Sequence, residues 1–297
     1  MVQADQKLTS LSVSIANKLA RTPPRATHFI VTLFGDVASA RNDELWVGTI
    51  INCCARHGIS ASLVRTAVSR LVSAGKLKAK RIGKKGYYHL TETAKEEFNA
   101  ASQILYAPKP APEGWILAIS SGQVQEIPTH PWAQLREGIF IAPDQLGLRL
   151  PKGLCALKAN VIQEAEDMAQ LSGKIWDLNA VASAYYTFLD FAADILQLQE
   201  ELAPLDGATS LDIRLRLVHT FRQAALYDPN LPRYAQPDQW PGYKARQTFQ
   251  KIYLQLSENS DNYLGQVFRD SIGLLSTETA QTRRRLKTLH EYQQVIT

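Results

Sequence analysis

Between Ser60 and Lys85 the chain sets out hydrogen-bond donors at regular intervals. Ser62, Arg65, Thr66, Ser69, Arg70 and Ser73 recur in steps of three and four, so a helix over this stretch would carry them on one face. Arginine can pair with guanine edges, and serine or threonine hydroxyls can reach bases or phosphates without bulk. A little further on, Arg81, Lys84 and Lys85 can neutralise phosphates, which makes affinity fall with salt. A basic helix by itself is more often a solvated face. The choice between the two readings rests on the elements around it and on how charge is distributed.

Val64, Ala67, Val68, Leu71 and Val72 form the apolar stripe of the same helix, with Ser60 as its cap and Gly75 as its natural end. Two helices are predicted before it. The first, in RATHFIVTLFGD, has Phe29, Ile30, Leu33 and Phe34 on one face and Gly35 near its stop; the second opens at Asp43 or Glu44, buries Leu45, Ile50, Ile51 and Cys54, and ends at Gly58. After it, KLKAKR is a strand with Leu77 and Ala79 on one side, IGKKG a hairpin turn and YYHL the returning strand. Thr91 caps a further helix whose stripe is Ala94, Phe98, Ala101 and Leu105. Three helices followed by a two-stranded hairpin are the order of a winged helix-turn-helix, in which the third helix enters the major groove and the hairpin lies on the backbone.

Charge agrees with that placement. The 297-residue chain has a formal net charge of +5, but the segment to Ala107 carries fifteen Lys and Arg against seven Asp and Glu, and the remainder is net negative. Such asymmetry suits a polyanion-binding module on a body with another job. With 45% hydrophobic and 21% charged residues and no apolar run of membrane-spanning length, a soluble cytoplasmic protein of more than one domain is expected.

The expected fold class is α+β and multidomain. Residues 1–24 read as a loosely held leader and 25–107 as the winged helix, with APKPAPEG as a linker. Residues 113–173 read as a small α+β domain in which GWILAISS, GIFIAP and GLCALKANVI are strands and PWAQLREG a helix; residues 174–297 read as a helical domain broken by the proline-rich YDPNLPRYAQPDQWPG. Adjacent Cys53 and Cys54 and the distant Cys155 fit neither a disulfide framework nor a zinc site, and are expected as buried small hydrophobes. No nucleophile-elbow, zincin or P-loop motif occurs, and GKKG lacks the phosphate-loop spacing. No catalytic residue, metal or cofactor is expected.

LFGD at 33–36, E-L-W-x-G at 44–48, VRTAVSRL at 64–71, YY-x-LT at 87–91, YDPNLP at 227–232 and WPG at 240–242 together resemble PaaX-type repressors, which control phenylacetate catabolism in bacteria. The resemblance covers nearly everything after Pro24. It implies a dimeric repressor bound to double-stranded operator DNA, with a ferredoxin-like central domain and a helical C-terminal domain, released by an aryl-coenzyme A thioester, typically phenylacetyl-CoA. A thioester of that kind needs cations for its phosphates and an apolar pocket for its aryl group. Arg214, Arg216, Arg222, Lys244 and Arg246, with Trp240 and Tyr243, offer the mixture, although YDPNLP and WPG can equally be structural turns. Trp176, Tyr185, Tyr186 and Phe188 fit a core or dimer interface better than a cavity wall, and TRRRLKT at 282–288 fits a solvated helix end better than a DNA contact. A regulator answering another acyl-CoA or an aromatic acid is the alternative, and a metal-dependent nuclease a more distant one. The fold relatives that cleave nucleic acid need an Asp at the end of the first central strand, where Ser120 and Ser121 stand here.

Overall fold

The computed structural model describes residues 13–107, 110–120, 130–162, 166–197 and 205–296. The chain divides into two compact units. One holds residues up to 107 together with 190–220 and 247–297; the other holds 108–189 and 221–246. The residues expected as a single C-terminal domain, 174–297, are thus shared between both units.

In the first unit, residues 13–21 form a helix (α1) with Leu19 buried, so this part of the expected leader is packed. Helix α2 (Ala26–Leu33) buries Phe29, Ile30 and Leu33 as its spacing predicts, and continues through a π-helical turn at Phe34–Ala38 instead of stopping at Gly35. The second helix was expected to open at Asp43 or Glu44. Instead Asp43 adopts a left-handed φ of 55° and Glu44–Trp46 is a short strand, β1, before α3 (Val47–Arg56) begins. A partner strand far along the chain decides this, since Glu44–Trp46 pairs antiparallel with Tyr87–His89 of the returning hairpin strand, which is central in the sheet.

Helix α4 (Ala61–Ser73) buries Val64, Ala67, Val68 and Leu71. It closes on Gly75 at φ 67°, with the Gly75 N–H donating to the Val72 carbonyl and the Lys76 N–H to that of Leu71, the Schellman pattern that a glycine makes cheap. Strands β2 (Leu77–Ile82) and β3 (Lys85–Leu90) form the hairpin, giving a sheet ordered β1-β3-β2. Leu77 is buried but Ala79, expected beside it, is exposed, as is the rest of β2. Thr91 caps α5 (Glu92–Tyr106).

In the second unit β4 (Trp115–Ile119), β5 (Ala133–Arg136), β6 (Ile139–Pro143) and β7 (Cys155–Ala159) make one antiparallel sheet ordered β5-β6-β4-β7. The segment PWAQLREG, expected as a helix, supplies β5. Its AQLR alternates half-buried and exposed residues, the two-residue period of an outer strand. Along β4 the same period sends Trp115 to one core, with Trp176 stacked at 5.9 Å, and Ile116 and Ala118 to another, with Trp132 and Phe140. Cys155 is exposed on β7, unlike Cys53 and Cys54.

Helices α6 (Glu166–Ile175), α7 (Leu178–Leu196), α8 (Gly207–Ala225), α9 (Gly242–Val267) and α10 (Ala280–Ile296) follow. The parts of α8 and α9 that belong to the first unit, with the residue after α9, complete its core: Leu211, Leu215, Leu264 and Phe268 pack with Phe29, Leu45, Val64 and Leu77. Among the described residues no helix is long and apolar enough to cross a membrane.

Candidate nucleic-acid interface

From Leu45 to Thr91 the sequence contains no Asp or Glu, while Arg56, Arg65, Arg70, Lys76, Lys78, Lys80, Arg81, Lys84 and Lys85 all fall inside it. Folding concentrates that imbalance. Ser62, Arg65, Thr66, Ser69 and Arg70 are all exposed on α4, and Arg81, Lys84 and Lys85 are exposed on the hairpin. Among the described residues no carboxylate pairs with Arg65, Arg70, Arg81 or Lys84, so their charge is directed outward, where it attracts a polyanion.

The hairpin also has local order. Gly83 takes φ 58° at the turn, Arg81 donates through Nε to the Gly83 carbonyl at 3.2 Å, and the Lys85 ammonium lies 5.4 Å from the centroid of the Trp46 ring. One hydroxyl is partly committed: Thr66 Oγ1 donates to the Ser62 carbonyl at 3.1 Å, leaving its oxygen able only to accept. At the start of α4, Ser60 Oγ accepts from the Leu63 N–H at 3.4 Å. Ser60→Ala should cost about 1 kcal/mol, read as a lowered Tm, because that donor then lacks a partner in the first turn.

Behind this surface, His57 closes α3 and begins the turn into α4. It is fully buried, its ring 4.3 Å from that of Phe29 and its Nε2 3.5 Å from Asp212 Oδ1, while Asp212 Oδ2 accepts from Arg56 Nε at 2.6 Å. Burial pushes the His57 pKa down, against the opposing pull of Asp212. Below about pH 6.5 the unfolded chain therefore binds a proton that the folded chain resists, and stability falls as pH falls from that value toward the folded pKa. Urea titrations across that window should show this slope in the wild type, and His57→Gln should flatten it.

The turn is also braced by α1. Gly58 has φ 75°, and a Cβ there would lie 2.3 Å from the Ala20 carbonyl oxygen.

Deeper in the first unit lies an ionic cluster that sequence patterns did not reveal. Asp36, fully buried in the π-helical turn, receives Arg214 Nε at 3.0 Å, Arg285 Nη1 at 3.2 Å and the hydroxyls of Tyr106 and Tyr253 at 2.8 and 2.9 Å. Arg214 also reaches Asp261 at 2.9 Å, as does Arg41. Burial acts to raise the Asp36 pKa, but the two guanidiniums and two phenols outweigh it and hold the carboxyl below its usual range. Burial and the same carboxylate push the Tyr253 phenol up to about 12, so it stays a donor. Arg214 therefore leaves the candidate effector set, since its guanidinium is buried and ion-paired with two carboxylates in a core. Arg216 is buried too, with Nη2 on Thr22 Oγ1. Within TRRRLKT, Arg285 is a core residue and not part of a solvated helix end.

The other effector candidates fall in the second unit. Arg222, Trp240 and Arg246 are half-buried, Tyr243 and Lys244 exposed, and the Arg246 guanidinium lies 5.4 Å from the Phe221 ring centroid. The two quoted motifs interlock here. Asp228 accepts from Tyr185 at 2.8 Å and from the Asn230 N–H, Trp240 meets the Tyr185 ring edge-on at 6.1 Å, and a Cβ on Gly242 would come within 2.7 Å of Trp240 Nε1. Tyr185, Phe188 and Trp176 are buried, whereas Tyr186 is exposed. Strand β4 ends at Ile119, and Ser120 bonds through its N–H to the Gly138 carbonyl; Ser121 lies outside the described residues.

Fold and surface together define an α+β protein of more than one compact unit, with exposed cations on α4 and on the hairpin that follows it. The chain belongs to the PaaX-like family: a PaaX-like protein model matches residues 25–94 and a PaaX-like C-terminal domain model residues 176–266. The transcriptional repressor PaaX of Escherichia coli strain K12 is 27% identical over 290 residues, covering 90% of this chain and 92% of that one. A solved structure, the uncharacterized protein Rv0674 from Mycobacterium tuberculosis, covers 72% of this chain and 89% of its own at 23% identity, with a TM-score of 0.44.

Proposed function

We propose that this chain is a sequence-specific DNA-binding transcriptional repressor of an aromatic-acid catabolic operon of the phenylacetate type. It acts in the cytoplasm as a homodimer, and an aryl-coenzyme A thioester such as phenylacetyl-CoA releases it from double-stranded operator DNA. The observation that carries this reading is the carboxylate-free stretch from 45 to 91, whose exposed cations and hydroxyls lie on α4 and on the hairpin after it. The role of the Escherichia coli relative supports it.

In this reading residues 25–107 are a winged helix-turn-helix. Helix α4 enters the major groove, where Arg65 and Arg70 contact base edges, and Arg81, Lys84 and Lys85 hold phosphates from the wing. The β5-β6-β4-β7 order, antiparallel throughout, supports a ferredoxin-like second unit, although the 144–154 connection carries no helix. Arg222, Trp240, Tyr243 and Lys244 are the residues proposed to meet the effector. For release, the thioester must bind the DNA-free conformation more tightly than the DNA-bound one.

Fluorescence-anisotropy titration against DNA from the protein's own promoter, at fixed salt with and without phenylacetyl-CoA, tests the proposal. Specific binding lost with the thioester, and kept with free phenylacetate or free coenzyme A, is the expected result. Equal affinity for promoter and random DNA would overturn it.

A further inference from the structure

The outward surface of α4 consists of two rows. One runs through Ser62, Arg65 and Ser69, the other through Leu63, Thr66 and Arg70, each in steps of three and four. Leu63 is out of character in this company. Its neighbours outward are all polar, yet it is 55% exposed, while Val64, Ala67, Val68 and Leu71 fill the core side of the same helix. It does nothing for the fold that a polar residue could not do.

A single exposed leucine is ordinary on a protein surface. Two facts set this one apart. It stands in the first turn of α4, the end of a recognition helix that reaches base edges. It is also followed one turn later by Thr66, whose hydroxyl hydrogen is already given to the Ser62 carbonyl, so that Thr66 offers DNA a methyl group and an acceptor but no donor. Leu63 thus brings no hydrogen-bonding group to the groove, and Thr66 no donor for the all-acceptor edge of guanine. The major groove contains one apolar feature for such a pair to meet, the C5-methyl of thymine.

We propose that Leu63, with the Thr66 methyl beside it, reads a thymine methyl in each operator half-site, while Arg65 and Arg70 read guanine nearby. The assignment rests on the DNA-binding reading above and extends it from a polyanion to a stated base chemistry. It makes Leu63 a specificity-determining residue that contributes no charge, so its contribution should be insensitive to salt, unlike that of the wing lysines.

Deoxyuridine is the direct probe, since it keeps every hydrogen-bonding group of thymine and lacks only the methyl. A duplex selected by the wild-type protein from a random-sequence pool would be remade with each half-site thymine replaced in turn by deoxyuridine, and Kd measured by anisotropy at fixed salt. The wild type should lose about fourfold at one or two thymines per half-site, the worth of one buried methyl-sized group. Leu63→Ala should bind the thymine duplex more weakly and become indifferent to deoxyuridine at one of those positions; Leu63→Met should retain the sensitivity. Since the side chain is exposed, neither change should move Tm appreciably. A wild-type profile flat at every thymine would overturn the assignment while leaving DNA reading intact, and so would a Leu63→Ala profile identical to that of the wild type. Selection that enriches no sequence at all would remove both this assignment and the repressor reading.

Discussion

Asp36→Ala should lower the unfolding free energy by about 3–5 kcal/mol, because it removes a carboxylate that faces both Arg214 and Arg285 and leaves two guanidiniums in a core. The Tyr106 and Tyr253 hydroxyls lose their acceptor in the same step. Urea unfolding followed by circular dichroism measures it, with Glu97→Ala as comparison. Glu97 pairs with Lys76 at the surface, so its loss should cost less than about 1 kcal/mol. Similar midpoints for the two variants would show that the buried cluster contributes no more than a surface pair.

Acid should reproduce part of this effect in the wild type. The folded-state pKa of Asp36 lies below that of an ordinary carboxyl, so its stabilisation is complete above the unfolded value and is lost as pH falls through the folded one. That loss lies at lower pH than the one from His57. The His57 contribution begins to fall at the higher pH, and Asp36→Asn should remove the loss that sets in below the unfolded carboxyl value while leaving the onset set by His57 in place.

The second large effect concerns DNA. Arg65→Ala should weaken specific binding by about 1–3 kcal/mol, roughly five- to 150-fold, and weaken random-sequence binding much less, if the proposed guanine contact is lost along with a charge. Lys84→Ala should weaken both to the same degree and reduce the slope of log K against log salt by about one. The pair of variants separates base reading from phosphate neutralisation. Equal losses on operator and random DNA for Arg65→Ala would remove it from the base-reading set.

What the sequence made legible was local. Ser60, Gly75, Gly83 and Thr91 each mark a boundary by their own backbone or capping chemistry, so α4, the hairpin turn and the start of α5 lie where the residues predict. Elements decided by a distant partner were not legible in this way. Glu44–Trp46 is a strand because Tyr87–His89 is beside it, and Ala133–Arg136 because β6 is. For the candidate site, the apolar stripe of α4 identified its exposed face. The effector set was less legible, because an arginine destined for a buried pair looks the same in sequence as one destined for solvent. Arg214 and Arg222 lie eight residues apart on one helix, yet Arg214 is buried against Asp36 and Asp261 in the first unit and Arg222 is half-buried in the second.

The Asp36 cluster also sets a timetable for synthesis. Asp36 leaves the ribosome long before its partners Arg214, Tyr253 and Arg285, the last of which lies in α10. The residues of the second unit are all translated by Arg246, before the first unit has its full set. The basic surface on α4 is therefore displayed on a finished scaffold only once residues through Arg285 have emerged, so a chain terminated before them would carry α4 without the support that fixes it. Truncation at residue 107, which by sequence alone would isolate a DNA-binding head, should yield a fragment with a buried acid missing its cations.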